Sequence, residues 1–150
     1  MKVVIEKIHK SNLSVDNKTV SQVGDGLLVF VGVHRDDTTE DADYLANKIV
    51  HLRMFKDDED KLNRSVLDIN GDILVVSNFT LQGELKSGTR PNFSKCASHE
   101  DANRLYLYLA DKIQELGIKN VKLGRFAEHM HLDTLIDGPM LIILDSKKEG

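Results

Sequence analysis

Three stretches of this chain gather residue types that could do chemistry. Ser77-Asn78-Phe79-Thr80-Leu81 closes an apolar run. Hydroxyls and an amide at the carboxyl end of a strand, followed by a turn, can project side chains and free N–H groups into a cleft; the plainer reading is strand-end polarity satisfying its own backbone. Residues 86–95 hold three bases, Lys86, Arg90 and Lys95, with a glycine, an aromatic ring and no acid. In a chain of net charge −4, a loop of opposite sign points to a phosphate-rich partner met locally, unless it is an ordinary solvated loop. Asp137-Gly138-Pro139 separates two strand-like runs. It reads most simply as a turn, and more sharply as a rigid loop tip with exposed carbonyls around a cis bond.

The remaining reactive types suggest less. His9, His34, His51 and His99 fall in turns or on helices without a visible partner, while His129 and His131 would share one face of a strand. Such a pair can begin a metal site, but no cysteine or carboxylate pattern completes one, so no metal is expected. The acidic run 57–60 lacks the glycine and distal glutamate of a calcium loop and reads as a solvated turn. Cys96 has only Lys95 as an activating neighbour and reads as a structural thiol. No nucleophile elbow, Walker loop or dinucleotide glycine fingerprint occurs, and no cofactor is expected.

Composition bounds the elements that must position these residues. The 150 residues carry 20 Lys+Arg against 24 Asp+Glu, with 41% hydrophobic and 29% charged residues. That balance suits one folded unit over 1–150 and excludes wholesale disorder or a strongly basic nucleic-acid coat. A lone cysteine excludes an internal disulfide, and no apolar run approaches the roughly 20 residues of a membrane span. With no signal-peptide core at the start, a cytoplasmic protein is expected.

The pattern predicts strands at 2–8 and 11–15 joined by a short polar turn, a returning strand at 19–23, and a strand buried on both faces at 27–33, Leu-Leu-Val-Phe-Val-Gly-Val. Thr38 with Asp41 caps a helix over about 39–54. Residues 66–69 and 73–81 read as a hairpin turning at Asn70-Gly71. Ser98 with Asp101 caps a second helix, whose apolar stripe runs from Ala102 through Leu105, Leu109 and Ile113 to a stop at Gly117. Strands at 121–123, 130–135 and 140–145 close the chain before a frayed tail at 146–150. The fold class is α+β, with a curved, mainly antiparallel sheet and two main helices.

Taken together these residues resemble the D-aminoacyl-tRNA deacylases. The opening KVVIEKI, the GLLVFVGV strand, the helix ending LRMF, the run ILVVSNFTL, the loop KSGTRPNFS and the late DGP stand in that family's order and spacing over about 2–145. The resemblance implies a barrel-like homodimer that hydrolyses the ester between a D-amino acid and the terminal adenosine of tRNA, and that also removes glycine from mischarged tRNA. It places the reactive carbonyl near Ser77, Phe79 and Thr80. The Phe79 and Thr80 backbone N–H groups are then assigned to the developing oxyanion, and Thr80 to positioning rather than nucleophilic attack. It makes Gly138 and Pro139 a cis dipeptide that enters the partner's site and excludes L-residues, with residue 7 bracing that loop. Lys86, Arg90 and Lys95, and less strongly Arg125, become the tRNA contacts.

This chain departs from the family pattern around those positions. Glu6-Lys7 replaces a Gln-Arg pair, and lysine cannot reproduce the arginine fork. Asn78 replaces a glutamine, and Ile136, Met140 and Leu141 replace Asn, Val and Thr beside the Gly-Pro. The altered flanks keep a second expectation open, a relative that retains the fold as a tRNA- or nucleic-acid-binding module with weakened catalysis.

Overall fold

The computed structural model describes residues 1–147. It contains β1 (Lys2–Val15), β2 (Lys18–Val23), β3 (Gly26–Gly32), α1 (Thr39–His51), β4 (Phe55–Lys56), β5 (Leu62–Arg64), β6 (Asp72–Ser77), α2 (His99–Glu115), β7 (Val121–Leu123) and β8 (His131–Asp145). Six strands form one sheet in the order β2-β1-β3-β6-β7, with β8 on the other side of β1, and β4 pairs β5 separately.

Both helices start where the sequence predicts. The Thr38 side chain accepts from the Glu40 N–H, and the Asp41 carboxylate accepts from the Thr38 N–H at 2.8 Å, closing a capping box. Ser98 accepts from the Asp101 N–H at 3.2 Å. Each helix lays its apolar stripe on one sheet face. Ala42, Leu45, Ala46 and Ile49 of α1 and Leu105, Tyr106, Leu109 and Ile113 of α2 cover Ile5, Leu27, Val29, Val31, Ile73 and Val75. The alternate residues Leu28, Leu74 and Val76 face a second, smaller core with Ile8, Leu13, Val15 and Val23. Curling of the sheet around that second core gives the expected α+β, barrel-like architecture.

Three boundaries differ from the sequence reading. The expected hairpin at Asn70-Gly71 does not form. Residues 66–70 are a compact turn in which the Gly71 N–H bonds the Val66 carbonyl at 2.9 Å, and β6 instead runs parallel to β3, Leu27 opposite Ile73 and Val29 opposite Val75. Asn70 does take the left-handed backbone its turn signal implied (φ 54°). Two strands buried on both faces pair through a helical crossover, and α1 supplies it; α2 does the same between β6 and parallel β7. The second difference is β1, one 14-residue strand with no turn at His9-Lys10. The third is β8, a single 15-residue strand that carries Asp137-Gly138-Pro139 as a bulge rather than a loop between two strands. In the expected tail, Ser146 is held by Asp41 and by the Met1 ammonium, and Lys147 pairs with Asp41 at 3.2 Å; residues 148–150 lie outside the described residues.

Candidate active site

Strand β6 ends at Ser77, opposite Val31 of β3, and the Asn78 N–H bonds the Val31 carbonyl at 2.8 Å. The chain then closes a single 3-10 turn over Phe79–Gln82, with the Leu81 N–H on the Asn78 carbonyl at 3.3 Å. The first N–H groups of such a turn, those of Phe79 and Thr80, have no acceptor within it. Beneath them Gly32 comes so close that an added Cβ would stand 2.7 Å from Leu81 Cβ, so only glycine lets β3 pass under the turn. The Thr80 hydroxyl donates to Asn78 Oδ1, and the Gln82 amide donates to the Gly32 carbonyl at 2.8 Å. The Thr80 hydroxyl is therefore hydrogen-bonded to an amide oxygen and not to a base.

Ser77, Asn78 and Phe79 line a cleft of about 430 Å³ whose other walls come from the start of α2 (His99) and from the β7–β8 connection (Phe126, His129). The His99 ring stands edge-on to Phe126 at 5.8 Å. Behind them Tyr106 donates to the Val75 carbonyl at 3.1 Å, and burial pushes its phenol up to about 12. His129 and His131 meet edge to face at 4.9 Å. Among the described residues no three His, Cys, Asp or Glu side chains converge to hold a metal ion.

The basic loop abuts the same end of the sheet. Phe93 packs edge-on against Phe79 at 5.1 Å, and the Cys96 thiol, pushed up by burial, donates to the Phe79 carbonyl at 3.5 Å. Glu84 and Asn92 exchange two backbone hydrogen bonds of 2.9 Å across the loop. Lys95 is not free: its ammonium pairs with Glu84, and that contact holds the Glu84 carboxyl below its ordinary value. Lys86 and Arg90 are exposed, as is Arg125 beyond β7.

Gly138 and Pro139 lie elsewhere, joined by a cis bond. Ser77 stands opposite Val31, Val31 opposite Val3, and the bulge opposite Lys7. Strand spacings put the two sites about 13 Å apart along the strands and about 14 Å across them. Gly138 has φ 130°, and a Cβ there would stand 2.7 Å from the Met140 nitrogen. The Lys7 ammonium reaches the Asp137 carboxylate at 3.1 Å and lies 5.3 Å from the centre of the Phe55 ring. Sequence reasoning missed the acidic partner of Lys7 and the aromatic walls of the cleft. An acid directly before the Gly-Pro, matched to a base in the first strand, was the available signal for the former.

A mixed α+β sheet crossed by two helices, with a cleft at the carboxyl end of its central parallel strands, fits a ligand-binding architecture. The model for D-Tyr-tRNA(Tyr) deacylase matches residues 4–145, and the chain belongs to that family of hydrolytic enzymes. It is 45% identical over 148 residues to the D-aminoacyl-tRNA deacylase of Caldicellulosiruptor saccharolyticus and 46% identical over 149 residues to that of Thermosipho melanesiensis, covering 99% of each chain in both cases. The solved structure of a c-Myc DNA unwinding element binding protein superposes with TM-score 0.92 at 30% identity, covering 97% of this chain and 98% of that one. A probable eukaryotic D-amino acid tRNA deacylase, at TM-score 0.80 and 19% identity over 95% of this chain and 97% of that one, shares the fold.

Proposed function

We propose that this chain hydrolyses the ester joining a D-amino acid to the terminal adenosine of tRNA, and that it clears glycyl-tRNA by the same route. The observation that carries the reading is the end of β6 and the turn after it, where Ser77, Asn78 and Phe79 line an apolar, aromatic-walled cleft with Thr80 next in the chain, in a protein whose family match spans 4–145. The cleft takes the adenosine, and the Phe79 and Thr80 N–H groups take the ester carbonyl oxygen as it becomes negative. Water adds to that carbon, the bond to the ribose oxygen breaks, and the proton passes to the ribose, whose neighbouring 2′-hydroxyl assists. Thr80, its hydroxyl committed to Asn78, orients rather than attacks. Ser77 lines the floor beneath the reacting carbon.

Stereochemical choice comes from a second copy of the chain. Strand β8 exposes Leu135, Ile136, Leu141 and Ile143 at 45–58% of their surface, and its second edge is unpaired among the described residues; such an apolar flank favours a two-fold pair. Within one chain the bulge is remote from the cleft, so in the pair it serves the partner's cleft. The Gly138 and Pro139 carbonyls then hold the substrate's ammonium group, leaving one direction for a side chain, into which a D-residue fits and an L-residue does not. Lys7 braces this loop through Asp137. Lys86 and Arg90 meet tRNA phosphates, with Lys95 and Arg125 secondary.

Purified protein incubated with D-tyrosyl-tRNA and L-tyrosyl-tRNA tests the reading. Release of D-tyrosine with L-tyrosyl-tRNA largely intact is expected, and no release from either overturns it. The DNA-binding name of the 30% identical structural relative favours a second reading, a nucleic-acid-binding module. That reading predicts tRNA binding without turnover, insensitive to Thr80→Ala.

A further inference from the structure

The ladder between β1 and β8 breaks twice, side by side. Glu6 pairs Leu141 and Ile8 pairs Ile136, so one residue of β1, Lys7, faces four of β8, 137–140, and three residues of β8 are surplus. Next, Ile8 pairs Ile136 while Lys10 pairs Leu135, which leaves His9 as an extra residue on β1. Bulges re-aim side chains, and these two aim theirs at each other. The Lys7 ammonium sits 3.1 Å from Asp137 Oδ2, His9 Nε2 sits 3.7 Å from Asp137 Oδ1, and His9 Nδ1 sits 2.7 Å from Asp25 Oδ1 in the β2–β3 connection.

Four side chains thus form a row, Lys7–Asp137–His9–Asp25, tying the residue before Gly138 to β1 and to the loop that launches β3. The surplus residues lack ladder partners, so side chains must fix the direction in which the turn points. The row is half to three-quarters exposed at His9 and Asp25 (54% and 71%), and pairs this exposed add little to global stability. Its geometry is therefore better suited to aiming the turn than to holding the fold.

We propose that Asp137 and His9 are positioning residues for the Gly138–Pro139 turn: with Lys7 and Asp25 they orient it, and through it they set the preference for D- over L-residues. This rests on the reading of that turn as the element that excludes L-residues. The relevant variants are Asp137→Asn, His9→Ala and Lys7→Arg in the full chain. Each is assayed for hydrolysis of D-tyrosyl-tRNA and L-tyrosyl-tRNA, for melting temperature, and for hydrogen exchange of the Gly138 and Met140 amides. Asp137→Asn should lower the D/L ratio of kcat/KM about 10-fold and His9→Ala about 3-fold, while exchange at both amides rises. The melting temperature should move by less than about 3 °C, and Lys7→Arg, which keeps the charge, should retain the ratio. Unchanged exchange at Gly138 and Met140 in Asp137→Asn overturns the proposal whatever the activity. So does an unchanged ratio, or a ratio that falls only in step with the melting temperature. Wild-type protein that hydrolyses neither substrate would instead overturn the reading of function, and the exchange data would still decide whether the row holds the turn.

Discussion

The carboxyl end of β6 and the bulge of β8 solve opposite problems with the same kind of material. At β6 a regular parallel strand stops, and the 3-10 turn that follows leaves its first backbone donors without acceptors inside the turn, at the rim of a cleft. At β8 a strand continues, but three surplus residues break its ladder and turn backbone outward in mid-strand. The first site is anchored by packing: Gly32 beneath, Phe93 alongside, Gln82 bonded to β3. The second is anchored by charge, through Lys7 and His9 on Asp137. Packing holds a position tightly and at every pH, whereas charge sets a direction and responds to the solution. The site proposed to do the chemistry thus has the stiffer support, and the site proposed to select has the adjustable one.

Breaking the bulge should have the largest effect. Gly138→Ala forces a Cβ to within 2.7 Å of the Met140 nitrogen at φ 130°, and should cost about 2 kcal/mol of stability. It should also lower the D/L ratio of kcat/KM by about 100-fold, read from thermal melts and paired deacylation assays. Breaking the turn of β6 should do less. Thr80→Ala removes an orienting hydroxyl and should reduce kcat about 10-fold while leaving the D/L ratio in place; a loss beyond about 10⁴-fold would mean that Thr80 attacks covalently.

The third comparison sets the paired lysine of the basic loop against its exposed arginine. Arg90→Ala should flatten the salt dependence of tRNA binding by about one unit, whereas Lys95→Ala, whose charge Glu84 already engages, should change it by less than about half a unit. The smallest effect concerns acid. The hydrogen bond from Lys7 depresses the Asp137 carboxyl, and that from Lys95 depresses Glu84. A depressed carboxylate contributes stability above its unfolded value and loses it as pH falls through the lower folded value. Melting temperatures of wild type and Asp137→Asn should therefore differ at neutral pH, and the gap should close below about pH 4.

Much of this molecule was legible as one-dimensional pattern. Thr38 with Asp41 and Ser98 with Asp101 announced both helices because a cap is a local device. The run 27–33 announced a strand buried on both faces. Asn70-Gly71 misled because its left-handed turn is real while the pairing it implies is not: whether β6 returns beside its neighbour or crosses over behind α1 is decided by burial of distant apolar faces. The residues at the end of β6 and the Gly-Pro could be singled out by type and by family resemblance. The row from Lys7 to Asp25 could not, because it depends on two register breaks between strands about 130 residues apart in the chain, and nothing within β1 alone marks His9 as a surplus residue.

The proposed use of the bulge in the partner's cleft carries a consequence for mixtures. In a two-fold pair built from one chain altered at Gly138 and one altered at Thr80, one composite centre collects both lesions and the other collects neither. Two individually crippled preparations, unfolded together and refolded as hybrids, would regain a fraction of intact centres, a complementation that a self-contained subunit could never show.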